Sequence, residues 1–207
     1  MERVGRPRPA QRRVPTQERS RVRVQRILDE AARLVLERGV EALSTRDIAQ
    51  AAEVPVASLY QYFADKEDVL LALAERDMTE MDEQVAADVA GLDDPSVGDV
   101  VRTVMRAFVA VYHRRPAFVE IYLRGRTNAA VHRFGRDHNA RIAETLRGFA
   151  LERGLARDTL TPTAALLAVE IGDRVFQLAF EHDVEGDREL LEEGIALVTA
   201  YLERFAA

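Results

Sequence analysis

From Ser44 to Lys66 the chain reads STRDIAQAAEVPVASLYQYFADK, and the proline at position 55 limits what this stretch can become. Proline supplies no N–H, clashes inside a helix and biases the preceding residue toward extended geometry, yet suits a helix's first turn. One continuous helix is therefore excluded. A short helix over roughly 45–52 must stop at Glu53-Val54, and a second starts at about Pro55. Ser44 opens the first: its hydroxyl can accept from the backbone N–H three positions on, where Asp47 suits the positive end of the dipole. Ile48, Ala49 and Ala52 give this helix an apolar face. In the second, Leu59 and Phe63 stand four apart and share a face that can pack back on Ala49. At about 100° per residue, the opposite side carries Ala57 and Gln61, with Ser58, Tyr60 and Tyr62 on the flanks. Two short helices joined by a tight turn, the second showing hydrogen-bonding side chains to solvent, make a helix-turn-helix.

A two-turn helix is too short to hold itself together, so its shape comes from packing and its outward residues answer to something else. Reaching into a major groove needs donors and acceptors at base-edge height, which Ser58 and Gln61 supply, and apolar contacts for thymine methyls, which Val56 and Ala57 supply. Phosphate contacts need hydroxyls and cations around the rim, and Thr45, Arg46, Tyr60, Tyr62 and Lys66 are placed for that. The competing reading is an ordinary αα-hairpin whose polar residues merely keep it soluble.

Charge bears on the choice. The formal net charge of −6 argues against a polyanionic partner only if taken as a single number. Residues 1–26 hold nine Arg against Glu2 and Glu18, a balance of +7 that leaves −13 for the remainder. The basic end abuts the helix-turn-helix, so a polyanion would meet that end first. Residues 1–18, with three prolines and no apolar period, read as a disordered basic arm. Its arginines suit phosphates or a minor groove, and a solvated tail without a role fits the same composition.

The rest of the chain is helical by pattern. Val24, Ile27, Leu28, Ala31, Leu34 and Val35 recur at helical spacing between Arg19 and Arg38, Gly39 ends the run, and Val40, Ala42 and Leu43 fill the corner before Ser44. Asp65 caps a helix whose apolar positions run from Val69 and Leu70 through Leu73, Met78, Met81 and Val85 to about Val89. After the loop 91–98, Val97, Val100, Val101, Val104, Met105, Phe108, Val111 and Tyr112 repeat three and four apart. Arg114-Arg115-Pro116 ends that helix, and a short one follows through Phe118, Val119, Tyr122 and Leu123. A long helix over roughly 128–152 turns Val131, Phe134, His138, Ile142, Thr145 and Phe149 inward. His138 is either a hydrogen-bonded core histidine or part of a cavity wall.

Thr161-Pro162 opens a helix to about His182 that is apolar over most of its girth, with Glu170, Asp173, Arg174, Gln177 and Glu181 in one polar stripe. The last, about 187–205, repeats Leu190, Leu191, Ile195, Val198, Tyr201, Leu202 and Phe205, with Gly194 allowing close approach. So widely apolar a pair needs cover on two sides, which points to a four-helix interface with a second copy; burial within one chain is the alternative. No sheet is expected: the fold class is all-α.

With no cysteine among 207 residues there is no disulfide, zinc ribbon or thiol nucleophile, which fits a cytoplasmic protein. No apolar run is long enough for a membrane span, and the first 26 residues lack a signal core. Ser20, Ser44, Ser58 and Ser96 lack the neighbours of a nucleophile elbow, and the single lysine, Lys66, follows Asp65 rather than a glycine loop. His113, His132, His138 and His182 all lack a glutamate three positions before them, so di-iron ligation is missing as well. No catalytic residue, metal or cofactor is expected.

The spacing of Thr45, Ile48, Ala49, Ala52, Val54, Ser58, Leu59, Tyr60, Phe63 and Lys66 resembles the DNA-binding signature of the tetracycline-repressor family of transcriptional regulators. In detail the resemblance covers roughly residues 20–75, and beyond that it is one of architecture. Two positions depart from the usual pattern: glycine is common where Glu53 stands, and serine where Pro55 stands. The resemblance implies a three-helix head over 19–65, and over 66–207 a larger helical domain for ligand binding and dimerisation. It further implies a homodimer held by the helices at about 162–182 and 187–205, with half-sites of a roughly palindromic DNA operator about one helical turn apart or somewhat more. A small-molecule effector would release the operator by shifting the connecting helix that starts near Asp65. Met105, Phe108, Tyr112, Tyr122, His138, Asn139 and Phe176 are the expected pocket lining, since aromatic walls with a few polar groups suit such ligands. An activator or ligand-independent DNA binder keeps the same head, and an all-α enzyme or scaffold would lack salt-dependent duplex binding.

Overall fold

The computed structural model describes residues 18–125 and 128–207, and the basic arm expected over 1–18 lies almost wholly outside them. The described residues are helical, with one isolated antiparallel bridge between Ala156 and Ala206. Contacts group the chain into two units, one up to Leu70 and one from Leu71 onward. No helix among the described residues is long and apolar enough to cross a membrane.

In the first unit, α1 (Glu18–Arg38) buries Ile27, Leu28, Ala31, Leu34 and Val35, one stripe at 3–4 spacing. Gly39 stops it at φ 79°, a left-handed value that a side chain would disfavour. Of the corner residues only Leu43 is buried; Ala42 is exposed, because the turn there points its small side chain outward. Then come α2 (Thr45–Ala51) and α3 (Val56–Leu59). Ser44 caps α2 by accepting from the Asp47 N–H at 3.2 Å.

α4 (Lys66–Ala90) begins in the first unit. Asp65 accepts from the Asp68 N–H at 2.8 Å at its start. The second unit continues with α5 (Val97–Arg114), α6 (Pro116–Phe118), a π-helical turn (Val119–Leu123), α7 (Ala129–Glu152), α8 (Pro162–Ala179) and α9 (Arg188–Glu203). Side chains cap most of these starts. Ser96 and Asp99 form a reciprocal capping box on α5, Asn128 accepts two N–H groups on α7, Thr161 caps α8 ahead of Pro162, and Asp187 caps α9.

One inward face differs from the sequence expectation. On α7 the buried set is Val131, Gly135, His138, Asn139, Ile142 and Ala143, whereas Thr145 is exposed and bonds back to the Arg141 carbonyl at 3.0 Å. The face is rotated because Gly135 receives the Tyr122 ring: a Cβ there would stand 2.3 Å from Cε2. On α8 the buried set is small, Ala164, Ala165, Ala168 and Gly172 with Phe176 and Ala179, while Leu167 and Leu178 are exposed. Small residues let neighbouring helices close in. The same holds at Gly194 of α9, where a Cβ would lie 2.4 Å from Val175 Cγ1.

Candidate functional site

The turn between α2 and α3 sets the head's geometry. Val54 N–H bonds the Ala49 carbonyl at 2.9 Å and Glu53 N–H bonds that of Gln50 at 3.1 Å, the paired bonds of a helix stopped by a left-handed residue. That residue is Glu53, at φ 52°. Its carbonyl accepts from Arg26 Nη2 at 3.1 Å, which ties the turn to α1. Pro55 then holds φ −57° ahead of α3. The regular helix is one turn long, shorter than expected, but the chain stays coiled beyond it. Tyr60 N–H bonds the Val56 carbonyl, and Phe63 N–H that of Leu59, at 3.1 and 3.0 Å.

Leu59 and Phe63 are buried behind this coil. Val56, Ala57 and Gln61 are exposed in front of it, Tyr60 is 54% exposed, and Ser58 is half-buried. Around the rim, Arg46 is exposed, while Thr45, Tyr62 and Lys66 are half-buried and tied down. Thr45 Oγ1 and Tyr60 Oη share a hydrogen bond of 3.0 Å, and Ser20 Oγ and Tyr62 Oη one of 2.8 Å. Lys66 Nζ donates to the Glu41 carbonyl at 3.4 Å. A hydroxyl and an ammonium keep further hydrogen-bonding capacity after one such bond, so these ties orient the groups without using them up.

The second unit contains a partly open cavity of about 120 Å³. α5 supplies Val97, Val100, Val101, Val104, Met105 and Phe108; α7 supplies Asn139, Ile142, Ala143, Leu146, Arg147 and Ala150; α8 supplies Ala165, Ala168, Val169, Gly172, Asp173 and Phe176. Leu155, Ala156, Leu160, Val198 and Leu202 complete it. Val97, Val100, Val104 and Phe108, half-exposed in so regular an apolar stripe, all line this space. Phe108 and Phe176 stack at 5.5 Å between centroids.

Polar groups gather at one end. Asn139 Nδ2 donates to Glu170 Oε1 at 3.3 Å, and Gln177 Nε2 to Asp173 Oδ2 at 2.8 Å. Burial pushes the Asp173 carboxyl above its ordinary range and Glu170 adds to the rise, against the hydrogen bonds from Tyr122 and Gln177 and the charge of His132. Burial likewise pushes the Tyr122 hydroxyl up. At the other end Arg147 is already engaged, Nε to the Leu160 carbonyl at 2.8 Å and Nη1 to Glu144 at 3.2 Å.

Comparison with known proteins agrees with both units. Residues 27–73 match the family model of bacterial regulatory proteins of the tetR family, and residues 96–202 match the tetracyclin repressor-like C-terminal domain. A TetR-family transcriptional regulator from Streptomyces coelicolor is 33% identical over 88% of this chain and 99% of its own, with a TM-score of 0.72. The chain belongs to the TetR family of transcriptional regulators. A TetR-family protein from Syntrophomonas wolfei, 20% identical over 88% of this chain and 96% of its own, has the same fold with a TM-score of 0.73. So does the fatty acid degradation regulator from Bacillus halodurans, at 18% identity, 86% and 94% coverage and a TM-score of 0.68. Among curated proteins nothing matches significantly.

The protein is a TetR-family DNA-binding regulator. Of the nine residues expected to contact DNA, Val56, Ala57, Ser58, Tyr60, Gln61 and Tyr62 belong to the α3 coil, Thr45 and Arg46 to the start of α2, and Lys66 to the start of α4. Of the expected pocket residues, Met105, Phe108, Asn139 and Phe176 line the cavity. The other three do not. Tyr112 is sealed among Phe118, Phe176 and Phe180, with centroids 6.0, 5.3 and 5.2 Å away. His138, 2% exposed, turns to Asp82 Oδ1 at 2.8 Å and is a hydrogen-bonded core histidine. Tyr122 is buried outside the lining, with its ring against Gly135 and its hydroxyl close enough to Asp173 to be pushed up by that carboxylate as well as by burial. Sequence reasoning missed Asp173 and Arg147 as wall residues; the one available signal was that Asp173 lies three and four positions from the apolar Phe176 and Val169.

Proposed function

We propose that the protein is a cytoplasmic homodimeric repressor, released from a palindromic operator when a small molecule fills the cavity of its larger domain. The supporting observation is the cavity. Protein interiors are close-packed, and an apolar concave space with a few convergent polar groups is what a ligand site requires. Residues 19–65 form the DNA-binding head and 66–207 the ligand-binding and dimerisation domain. In each head Ser58 and Gln61 read base edges, Val56 and Ala57 meet thymine methyls, and Thr45, Arg46, Tyr60, Tyr62 and Lys66 hold phosphates. The second copy covers α8 and α9, where Leu167, Leu178, Leu190 and Leu197 stay exposed, Leu197 at 56%. A ligand shifts operator affinity only by its preference for the released state.

The test begins with duplexes selected by the purified protein from genomic fragments, titrated by fluorescence anisotropy. Tyr60→Ala and Lys66→Ala lower affinity for every duplex alike, whereas Gln61→Ala also flattens the preference among sequences, by roughly 1–3 kcal/mol per base contact. Equal losses on all sequences for Gln61→Ala refute its base-reading role. Cavity ligands that leave operator affinity unchanged refute release.

A further inference from the structure

The cavity's polar end identifies the kind of molecule it takes. We propose that the site selects an amphipathic organic cation, an apolar body ending in a protonated amine, with the ammonium seated on Asp173 and the body running along α7 toward Arg147. This rests on the cavity being the ligand site.

Three observations carry it. First, the wall has a carboxylate in it. Asp173 lines the cavity, and the groups that face it are the Tyr122 hydroxyl, the Gln177 amide, a second carboxylate at Glu170, and His132, the one cationisable side chain among them. His132 favours the ionised carboxyl and Glu170 opposes it, and burial outweighs the favourable groups, so the ionised form is under-compensated. A ligand that brings a further positive charge to this end supplies that compensation.

Second, the end is aromatic as well as acidic. Phe176 is one helical turn beyond Asp173 and stacks on Phe108, and both rings line the cavity. Ring faces attract cations, and an ammonium between a carboxylate and aromatic rings gains from both. Third, the wall's other charge is neutralised. Arg147, the cation lining the cavity among the described residues, is committed to the Leu160 carbonyl and to Glu144. Asn139 and Arg147 stand eight residues apart on α7, about 12 Å along the axis, which gives the apolar body its length. The acidic end is held by unusual local structure: Tyr122 lies in the π-helical turn, and its ring needs the bare backbone of Gly135 to reach Asn139 and Asp173.

The experiment compares three probes of one length, octylammonium, octan-1-ol and octanoate, by titration calorimetry on the full-length protein. A charge-assisted hydrogen bond implies octylammonium binding roughly 10–100-fold tighter than octan-1-ol, with octanoate weakest. In Asp173→Asn that margin falls to within about threefold. The pH dependence gives a second reading: octylammonium affinity rises with pH as the Asp173 carboxyl ionises, and most of that rise is lost in Asp173→Asn, where the neighbouring His132 and Glu170 are unchanged. If octan-1-ol or octanoate binds as well as octylammonium, the cavity remains a ligand site and the cation preference is overturned. If octylammonium wins in both forms of the protein, Asp173 is not its seat. If none of the three binds, the cavity reading itself falls, and this proposal with it.

Discussion

Glu53 offers a sharp test of how the head is held. It occupies the left-handed position at the end of α2, φ 52°, and both stop bonds depend on that backbone conformation. An L-residue pays about 1–2 kcal/mol to be left-handed, whereas glycine pays nothing there and gives back roughly 0.5–1 kcal/mol through its freer unfolded chain. Glu53→Gly is therefore expected to stabilise the head by about 0.5–1 kcal/mol. The exposed carboxylate contributes little, and the carbonyl that accepts from Arg26 is retained. Urea unfolding followed by helical circular dichroism reads the change as a higher midpoint at unchanged slope. Glu53→Ala is the control, since alanine removes the same carboxylate but keeps the Cβ that makes the conformation costly. If alanine gains as much as glycine, or if glycine gains nothing, the backbone argument is wrong.

Two further outcomes are expected. Gly194→Ala forces a Cβ to 2.4 Å from Val175 Cγ1 and should cost about 1–3 kcal/mol by thermal unfolding, with much of the loss restored in the Gly194→Ala, Val175→Ala double variant. Asp173 titrates above its ordinary range in the fold, so its favourable contribution is present below the usual carboxylate pKa and is lost as pH rises through the raised value. Asp173→Asn should accordingly raise the melting temperature at pH 7 and leave it nearly unchanged near pH 3; a gain of the same size at both would rule out ionisation as the cause.

The helix borders were legible because the chain marks them with residues of fixed conformational effect. Ser44, Ser96, Asn128, Thr161 and Asp187 each cap a start by side-chain bonding, and Gly39 and Pro55 act through backbone geometry. The shortness of α3 was not, since Tyr60 to Phe63 keep coiling without regular helical bonding. The cavity was harder still. The expected lining was chosen for aromatic walls with a few polar groups, but alanine and glycine make up most of the buried face of α8 and carry no such signal. Asp173 was hidden for the opposite reason: an acidic residue in a polar stripe reads as solvent-facing, and only the packing of α7 against α8 turns it inward.

The alanine and glycine run along α8 also bears on how such a regulator changes its chemistry over time. Ala165, Ala168 and Gly172 form part of the wall and contribute almost no side-chain volume to it. Adding a methyl or two at any of them would reshape the space from one side while the backbone course of the surrounding helices stayed as it is. A gene duplicate could in this way come to sense a different compound through a single codon, with its DNA address untouched.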